Sequence, residues 1–127
     1  LRTISSQRCI LKLVFHVENF NIFMMKEFED QSKFQREIDF CKNYSHRCFT
    51  HCHGFLEEKG QIKGIIYEFM SNGSLHSFIK SNKNDELFSL MTINRMIQGV
   101  EYLQRNNLFS LIMILFHIFL ILIQFVI

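Results

Sequence analysis

In Ile66-Tyr67-Glu68-Phe69-Met70-Ser71-Asn72-Gly73-Ser74-Leu75 a run of β-formers stops at a polar, glycine-bearing turn and a helix opens. Gly73 relieves the backbone where the chain turns. Immediately upstream, Ile62–Phe69 and Cys48–Phe55 read as a strand pair separated by the charged turn Glu57-Glu58-Lys59-Gly60. Further up, Ser32 followed by Gln35 matches a helix capping box, with Asp30 as an alternative cap. Phe34, Ile38 and Cys41 then fall at helical spacing. Glu37 lies on that apolar seam, where solvent is the usual place for a carboxylate. From Cys9 to Phe28 apolar and polar residues alternate, as in two strands joined by a hairpin near Glu18–Asn21.

Downstream, a short helix is expected from Leu75 to about Lys80, then a polar loop over Ser81–Glu86. Leu87 to Leu103 carries Leu90, Ile93, Ile97, Val100 and Leu103 at the spacing of a core-facing helix. No internal repeat appears. Strands, one helix, more strands and a long helix make an α+β arrangement.

Composition sets the outer bounds. A chain of 127 residues is one domain at most. At 48% hydrophobic and 20% charged it is globular rather than disordered. A net charge of +2, evenly spread, excludes a nucleic-acid partner as an expectation. The chain begins at Leu1 rather than Met, so a fragment or processed piece is expected. No secretory signal pattern opens it, and the four cysteines are expected to be free, partly buried thiols in a reducing compartment.

The order of elements, and the local strings, resemble a protein kinase small lobe followed by the first helices of the large lobe. The stretch Ile66–Leu75 is similar to the strand-to-hinge passage of tyrosine-kinase-like and related kinases. Phe34-Gln35-Arg36-Glu37-Ile38 resembles the start of helix C, Ser45-His46-Arg47-Cys48 its exit, and His53-Gly54-Phe55 the end of strand 4. Ile97-Gln98-Gly99-Val100-Glu101-Tyr102-Leu103 resembles helix E, and the likeness covers about residues 10–107. The resemblance implies that Lys26 holds the α and β phosphates of ATP and that Glu37 steers it. Such a pair accounts for a carboxylate on an apolar seam, since a buried charge needs an opposite one. The plainer alternative is a snorkelling surface lysine and an edge-of-seam glutamate. The resemblance also places adenine against the Glu68 carbonyl and the Met70 N–H, with Tyr67 as gatekeeper behind them.

Three departures from the family pattern bear on activity. Residues 1–53 contain no glycine, although a glycine-rich phosphate loop is expected before Val14. Side chains crowd such a turn, so ATP binding is expected to be weak or lost. The His-Arg-Asp catalytic loop expected after Asn106-Asn107-Leu108 is missing, and with it the base, the metal-binding Asn and the Asp-Phe-Gly magnesium ligand. The rest of the large lobe is absent too. No catalytic residue and no metal ligand is therefore assigned, the magnesium site is expected to be absent, and the chain is expected to be an inactive, truncated, pseudokinase-like domain.

The final segment reads differently. No Lys, Arg, Asp or Glu follows Arg105, and Leu108–Ile127 is long and apolar enough for a membrane-spanning helix. Shifted by one base, codons that fit this tail also permit Asp, Phe, Ile, Pro, Tyr, Ile, Ser, Asp, Phe from Met113 onward. That string is similar to the kinase segment leading to the magnesium Asp-Phe, so a frame disturbed just after Leu108 is one expectation, and a selected membrane anchor is its rival. The expected parts are thus 1–70 as small lobe, 71–107 as hinge and first large-lobe helices, and 108–127 as apolar C-terminal helix. The function class opposed to an ATP-binding kinase remnant is a tail-anchored interaction or scaffold protein. Location is expected to be cytoplasmic, with membrane association through 108–127. The protein substrate and the choice between Ser/Thr and Tyr lie beyond the residues. With most of the large lobe missing, the Ile93–Ile97–Val100 face is expected to be exposed unless the tail folds over it. His46, Cys48, His51, Cys52 and His53 invite a zinc reading, but no second cluster follows, and alternation along a strand separates Cys52 from the two flanking histidines. Core packing is the preferred role for Cys41 and Cys52.

Overall fold

A computed structural model describes residues 9–71, 80–81 and 86–108. These fall into two compact units. One comprises the described residues of Leu1–Ser45 together with His51–Phe69; the other comprises His46–Thr50 and the described residues from Met70 onward.

The first unit is a four-stranded antiparallel sheet with a helix on it. Strands β1 (Cys9–Phe15) and β2 (Ile22–Phe28) form the expected hairpin, and β3 (Cys52–Glu58) pairs with β4 (Gln61–Glu68). The order across the sheet is β1-β2-β4-β3. The hairpin closes through His16 N–H to the Asn21 carbonyl at 2.9 Å, with Phe20 in the left-handed region (φ 58). The second turn is shorter than the sequence suggests. Glu57 and Glu58 stay in β3, which leaves the two-residue turn Lys59-Gly60 with φ values of 51 and 77. Two left-handed residues match the right-handed twist of the flanking strands, and glycine adopts that conformation without a Cβ penalty.

Strand β3 also starts later than expected, at Cys52, and Cys48 and Phe49 belong to the second unit. Along β4 the apolar phase changes: Ile62 and Ile65 are both buried although three residues apart. The pairing skips Lys63 between Leu56↔Gly64 and Glu57↔Ile62, so a bulge re-aims the strand. A second irregularity skips His53 between Cys52↔Tyr67 and Gly54↔Ile66.

Helix α1 (Gln35–Asn43) follows a 3₁₀ turn over Gln31–Phe34. The Ser32/Gln35 capping box does not form. Asp30 is the cap, accepting from the Ser32 N–H at 3.0 Å and the Ser32 hydroxyl at 2.6 Å, and these bonds hold its carboxyl below the usual range. The Gln35 amide turns instead to Gln31 and Asp39. A 3₁₀ first turn moves the cap two residues upstream of the position read from spacing. Ile38 of α1, Phe34, Phe28 of β2, and Ile62, Ile65 and Tyr67 of β4 form one core, with Phe28 and Phe34 stacked at 4.4 Å between centroids. Burying each aliphatic side chain here is worth about 1.5–3 kcal/mol.

The second unit contains α2 (Glu86–Arg105), matching the expected long helix and extending it by two residues at the C-terminal end. It ends in a left-handed Asn107 (φ 56), with Leu108 N–H bonded to the Leu103 carbonyl at 2.9 Å and Asn107 N–H to Gln104 at 3.1 Å. That pair of bonds is a Schellman closure with Asn in place of the more usual glycine. The His46 ring stacks on Tyr102 at 4.6 Å, and Arg47 Nη2 donates to Gln98 Oε1 at 2.6 Å. Gly99 and Leu103 are buried, whereas Leu90, Ile93 and Ile97 are exposed and Val100 is half-buried. Spacing therefore identifies the helix but not the amount of cover its apolar face receives. Of the expected helix over 75–80 only Lys80 is described, and it is helical. The expected tail helix over 108–127 lies outside the described residues apart from Leu108. Among the described residues no helix is long and apolar enough to cross a membrane.

Candidate functional site

Lys26 sits mid-strand in β2, opposite Leu11 on one side and Ile65 on the other. Alternation puts it on the same face as Met24 and Phe28, the face that α1 covers. Glu37 lies in the first turn of α1, one residue before the fully buried Ile38. Sheet and helix bring the two charges together: Lys26 Nζ donates to Glu37 Oε2 at 2.7 Å, with side-chain exposures of 19% and 10%. The Lys26 ammonium also stands 5.0 Å above the Phe34 ring, a further stabilising contact for a cation. A snorkelling lysine would have remained largely exposed, so the plainer alternative does not describe this pair.

The second Glu37 oxygen is also taken. Tyr67 Oη donates to Glu37 Oε1 at 2.6 Å. Cys41 Sγ, one helical turn beyond Glu37, lies 3.5 Å from the same phenol oxygen. Burial, and next the Glu37 charge, drive the Tyr67 pKa far above its ordinary value, so the phenol stays neutral and keeps donating. The carboxylate is thus fixed from two sides, by an ammonium on β2 and a phenol on β4. Lys26 contributes one of its three N–H groups to Glu37, which leaves donor capacity for an anion.

Tyr67→Phe removes the hydroxyl and leaves a charged acceptor short of one bond. The expected loss is about 2 kcal/mol, from the range for hydrogen bonds to charged groups. Urea unfolding of the two proteins should show a lower midpoint at unchanged slope.

Glu68 ends β4, and its main-chain N–H donates to the His51 carbonyl at 3.0 Å. Its carboxylate Oε1 accepts the His51 N–H at 2.7 Å, which ties the strand end to the start of β3. Met70, two residues on, is buried and opens the second unit. Residues 72–79, including Gly73, lie outside the described residues, as does the segment preceding Cys9. Sequence reasoning missed Gly64: a Cβ there would stand 3.3 Å from the Lys26 carbonyl, a tight approach that a side chain could make only if the neighbouring strand gave by a few tenths of an ångström. Among the described residues no three His, Cys, Asp or Glu side chains gather as a metal site.

A family model for protein tyrosine and serine/threonine kinases matches residues 19–109, which hold β2, α1, β3, β4 and α2. The chain belongs to the protein kinase family. Two plant relatives agree: it is 35% identical over 82 residues to MAP3K epsilon protein kinase 1 of Brassica napus and to MAP3K epsilon protein kinase 2 of Arabidopsis thaliana. These matches cover 62% of this chain but only 6% of either relative, so this kinase sequence spans a small part of their length. Among solved structures, Rad53 residues 1–466 in complex with AMP-PNP matches with a TM-score of 0.65 at 16% identity. That match covers 84% of this chain and 30% of the solved Rad53 chain, and it shows a shared fold. In kinase terms the first unit is small-lobe architecture, with α1 in the place of helix C.

Proposed function

We propose that this chain carries the phosphate-gripping half of a protein kinase nucleotide site, binds ATP weakly, and does not by itself transfer phosphate. The observation that carries the proposal is the 2.7 Å Lys26–Glu37 pair, set in a core that leaves the ammonium with unspent donors. Lys26 would hold the α and β phosphates, and Glu37, braced by Tyr67, would fix the direction of the ammonium. Glu68 and Met70 would offer main-chain groups to adenine. When bound, ATP supplies the phosphoryl group that kinases transfer.

Two features of the sequence support weak binding without transfer. No glycine precedes Gly54, so the main-chain N–H cradle of a glycine-rich loop has no glycine to build it. The 127 residues contain neither His-Arg-Asp nor Asp-Phe-Gly, so they supply no positioned base and no magnesium ligand from those motifs. Transfer to a protein Ser, Thr or Tyr would belong to a longer kinase carrying those parts.

Equilibrium binding of a fluorescent ADP analogue tests the grip. The chain should bind it, Lys26→Met should weaken binding at least tenfold, and Lys63→Met should leave it unchanged. Lys63 lies on the same sheet but donates to the Glu29 carbonyl, away from Glu37. Equal binding by all three proteins overturns the assignment.

The uncharged stretch 108–127 supports a second reading, a cytoplasmic-side scaffold attached to membrane by its tail. Retention of the full chain on lipid vesicles through carbonate extraction supports that attachment. Release into the supernatant removes it.

A further inference from the structure

Below the Lys26–Glu37 pair, on the same face of α1, lies a second constellation that the nucleotide site does not use. Cys41 is one helical turn after Glu37, and Cys52 opens β3 directly opposite Tyr67. Cys41 Sγ is 3.5 Å from Tyr67 Oη, and the strand register sets Cys52 beside the same tyrosine, so the two thiols are neighbours where helix meets sheet. Cys52 Sγ also approaches the Gly54 carbonyl at 3.6 Å. Both thiols pack against the core cluster, yet neither is fully buried. The remaining cysteines are placed differently: Cys9 is on β1 and Cys48 is in the second unit beside Gln98.

We propose that Cys41 and Cys52 are a hydroperoxide-responsive thiol pair whose disulfide ties α1 to the sheet and so fixes Glu37 against Lys26. The two sulfurs belong to elements distant in sequence but adjacent in the fold, so a bond between them restrains the helix that carries Glu37. A bond within one helix would not.

Cys52 is the attacking group. The neighbouring Cys41 thiol outweighs partial burial and lowers the Cys52 pKa to about 7, whereas Cys41, beside Cys52 and more buried, is held well above the ordinary cysteine range. The groups facing Cys52 are Cys41 and Glu37 from α1 and Tyr67 from β4, and Lys26 of β2 balances the Glu37 charge.

The chemistry balances with hydrogen peroxide as oxidant. The Cys52 thiolate attacks one peroxide oxygen: an S–O bond forms, the O–O bond breaks, and hydroxide departs to be protonated by solvent. Cys41 sulfur then attacks the Cys52 sulfenic sulfur. The S–S bond forms, the S–O bond breaks, and the Cys41 proton leaves with the hydroxyl group as water. Two thiols and one peroxide give one disulfide and two waters.

The test uses the full chain with Cys9→Ser and Cys48→Ser, which leaves the pair as its only thiols. After one equivalent of peroxide, blocking with N-ethylmaleimide and non-reducing digestion, mass spectrometry should find the Cys41 and Cys52 peptides joined, with two hydrogens lost. Reduction should separate them. The unfolding midpoint should rise on oxidation and return on reduction. Adding Cys41→Ser should stop the reaction at a dimedone-reactive Cys52, and adding Cys52→Ser should abolish the peroxide response. At pH 7, Cys52 should alkylate on the order of tenfold faster than an ordinary cysteine, following its greater thiolate fraction. The rate should rise from pH 6 to 8 and then level. Separate sulfinic acids, two unreacted thiols, or a midpoint indifferent to oxidation would each overturn the proposal.

Discussion

Glu37→Ala lowers the unfolding free energy by about 3 kcal/mol, the low end of the range for stripping one partner from a buried ion pair. The low end applies because Lys26 retains 19% exposure and can recover some hydration. The side chain accepts from both Lys26 Nζ and Tyr67 Oη, so truncation leaves an ammonium and a buried phenol without their acceptor. A domain of this size has only about 5–15 kcal/mol in total, so the loss is large. Circular dichroism during urea unfolding measures it, and an unchanged slope shows that the native fold survives in the absence of urea. Glu37→Gln keeps the shape and an acceptor for Tyr67 while removing the charge, and should lose about half as much. Equal stability of all three proteins would mean that Glu37 is not held as described.

Ile65→Ala should cost about 3–4 kcal/mol, within the range for emptying a fully buried aliphatic site. Ile65 has no exposure and sits mid-sheet on β4, opposite Lys26 on β2 and Phe55 on β3. It touches the core beneath the site, so removing it leaves a cavity that strands held by neighbours on both sides cannot close. Ile93→Ala is the comparison. Ile93 is 54% exposed on α2, and its loss should change stability by less than about 0.5 kcal/mol. The sequence reading placed Ile65 only within a strand and expected the Ile93 face to be exposed unless the tail covers it; the fold is what shows Ile65 to be fully buried.

That contrast indicates where sequence reasoning succeeded. Apolar spacing and turn residues were enough for the hairpin, the β3–β4 pair, α1 and α2, because each depends on local periodicity. The Lys26–Glu37 pair was legible because a carboxylate on an apolar seam requires a partner, and the resemblance to kinases supplied one. Tyr67 as a brace for Glu37 was not legible: its hydroxyl reaches the carboxylate only because β4 lies beneath α1, a pairing 30 residues apart in sequence. The bulge at Lys63 was hidden for a related reason, since alternation assumes an uninterrupted ladder and Ile62 and Ile65 violate it. Asp30 displaced the Ser32/Gln35 box because the chain enters α1 through a 3₁₀ turn, which shifts the first unpaired N–H groups upstream. Cys41 and Cys52 were read as core, and the core does receive them, but their nearness to one another is a property of helix against sheet.

The central claim is that Lys26 grips nucleotide phosphates. An acyl-phosphate derivative of ATP transfers its acyl group to amines held beside the phosphate chain, and mass spectrometry then identifies the modified lysines. The account predicts that Lys26 is acylated ahead of every other lysine, that excess ATP suppresses the reaction, and that Glu37→Ala weakens it. Acylation spread over exposed lysines such as Lys12, Lys33 and Lys59, indifferent to added ATP and sparing Lys26, would contradict it.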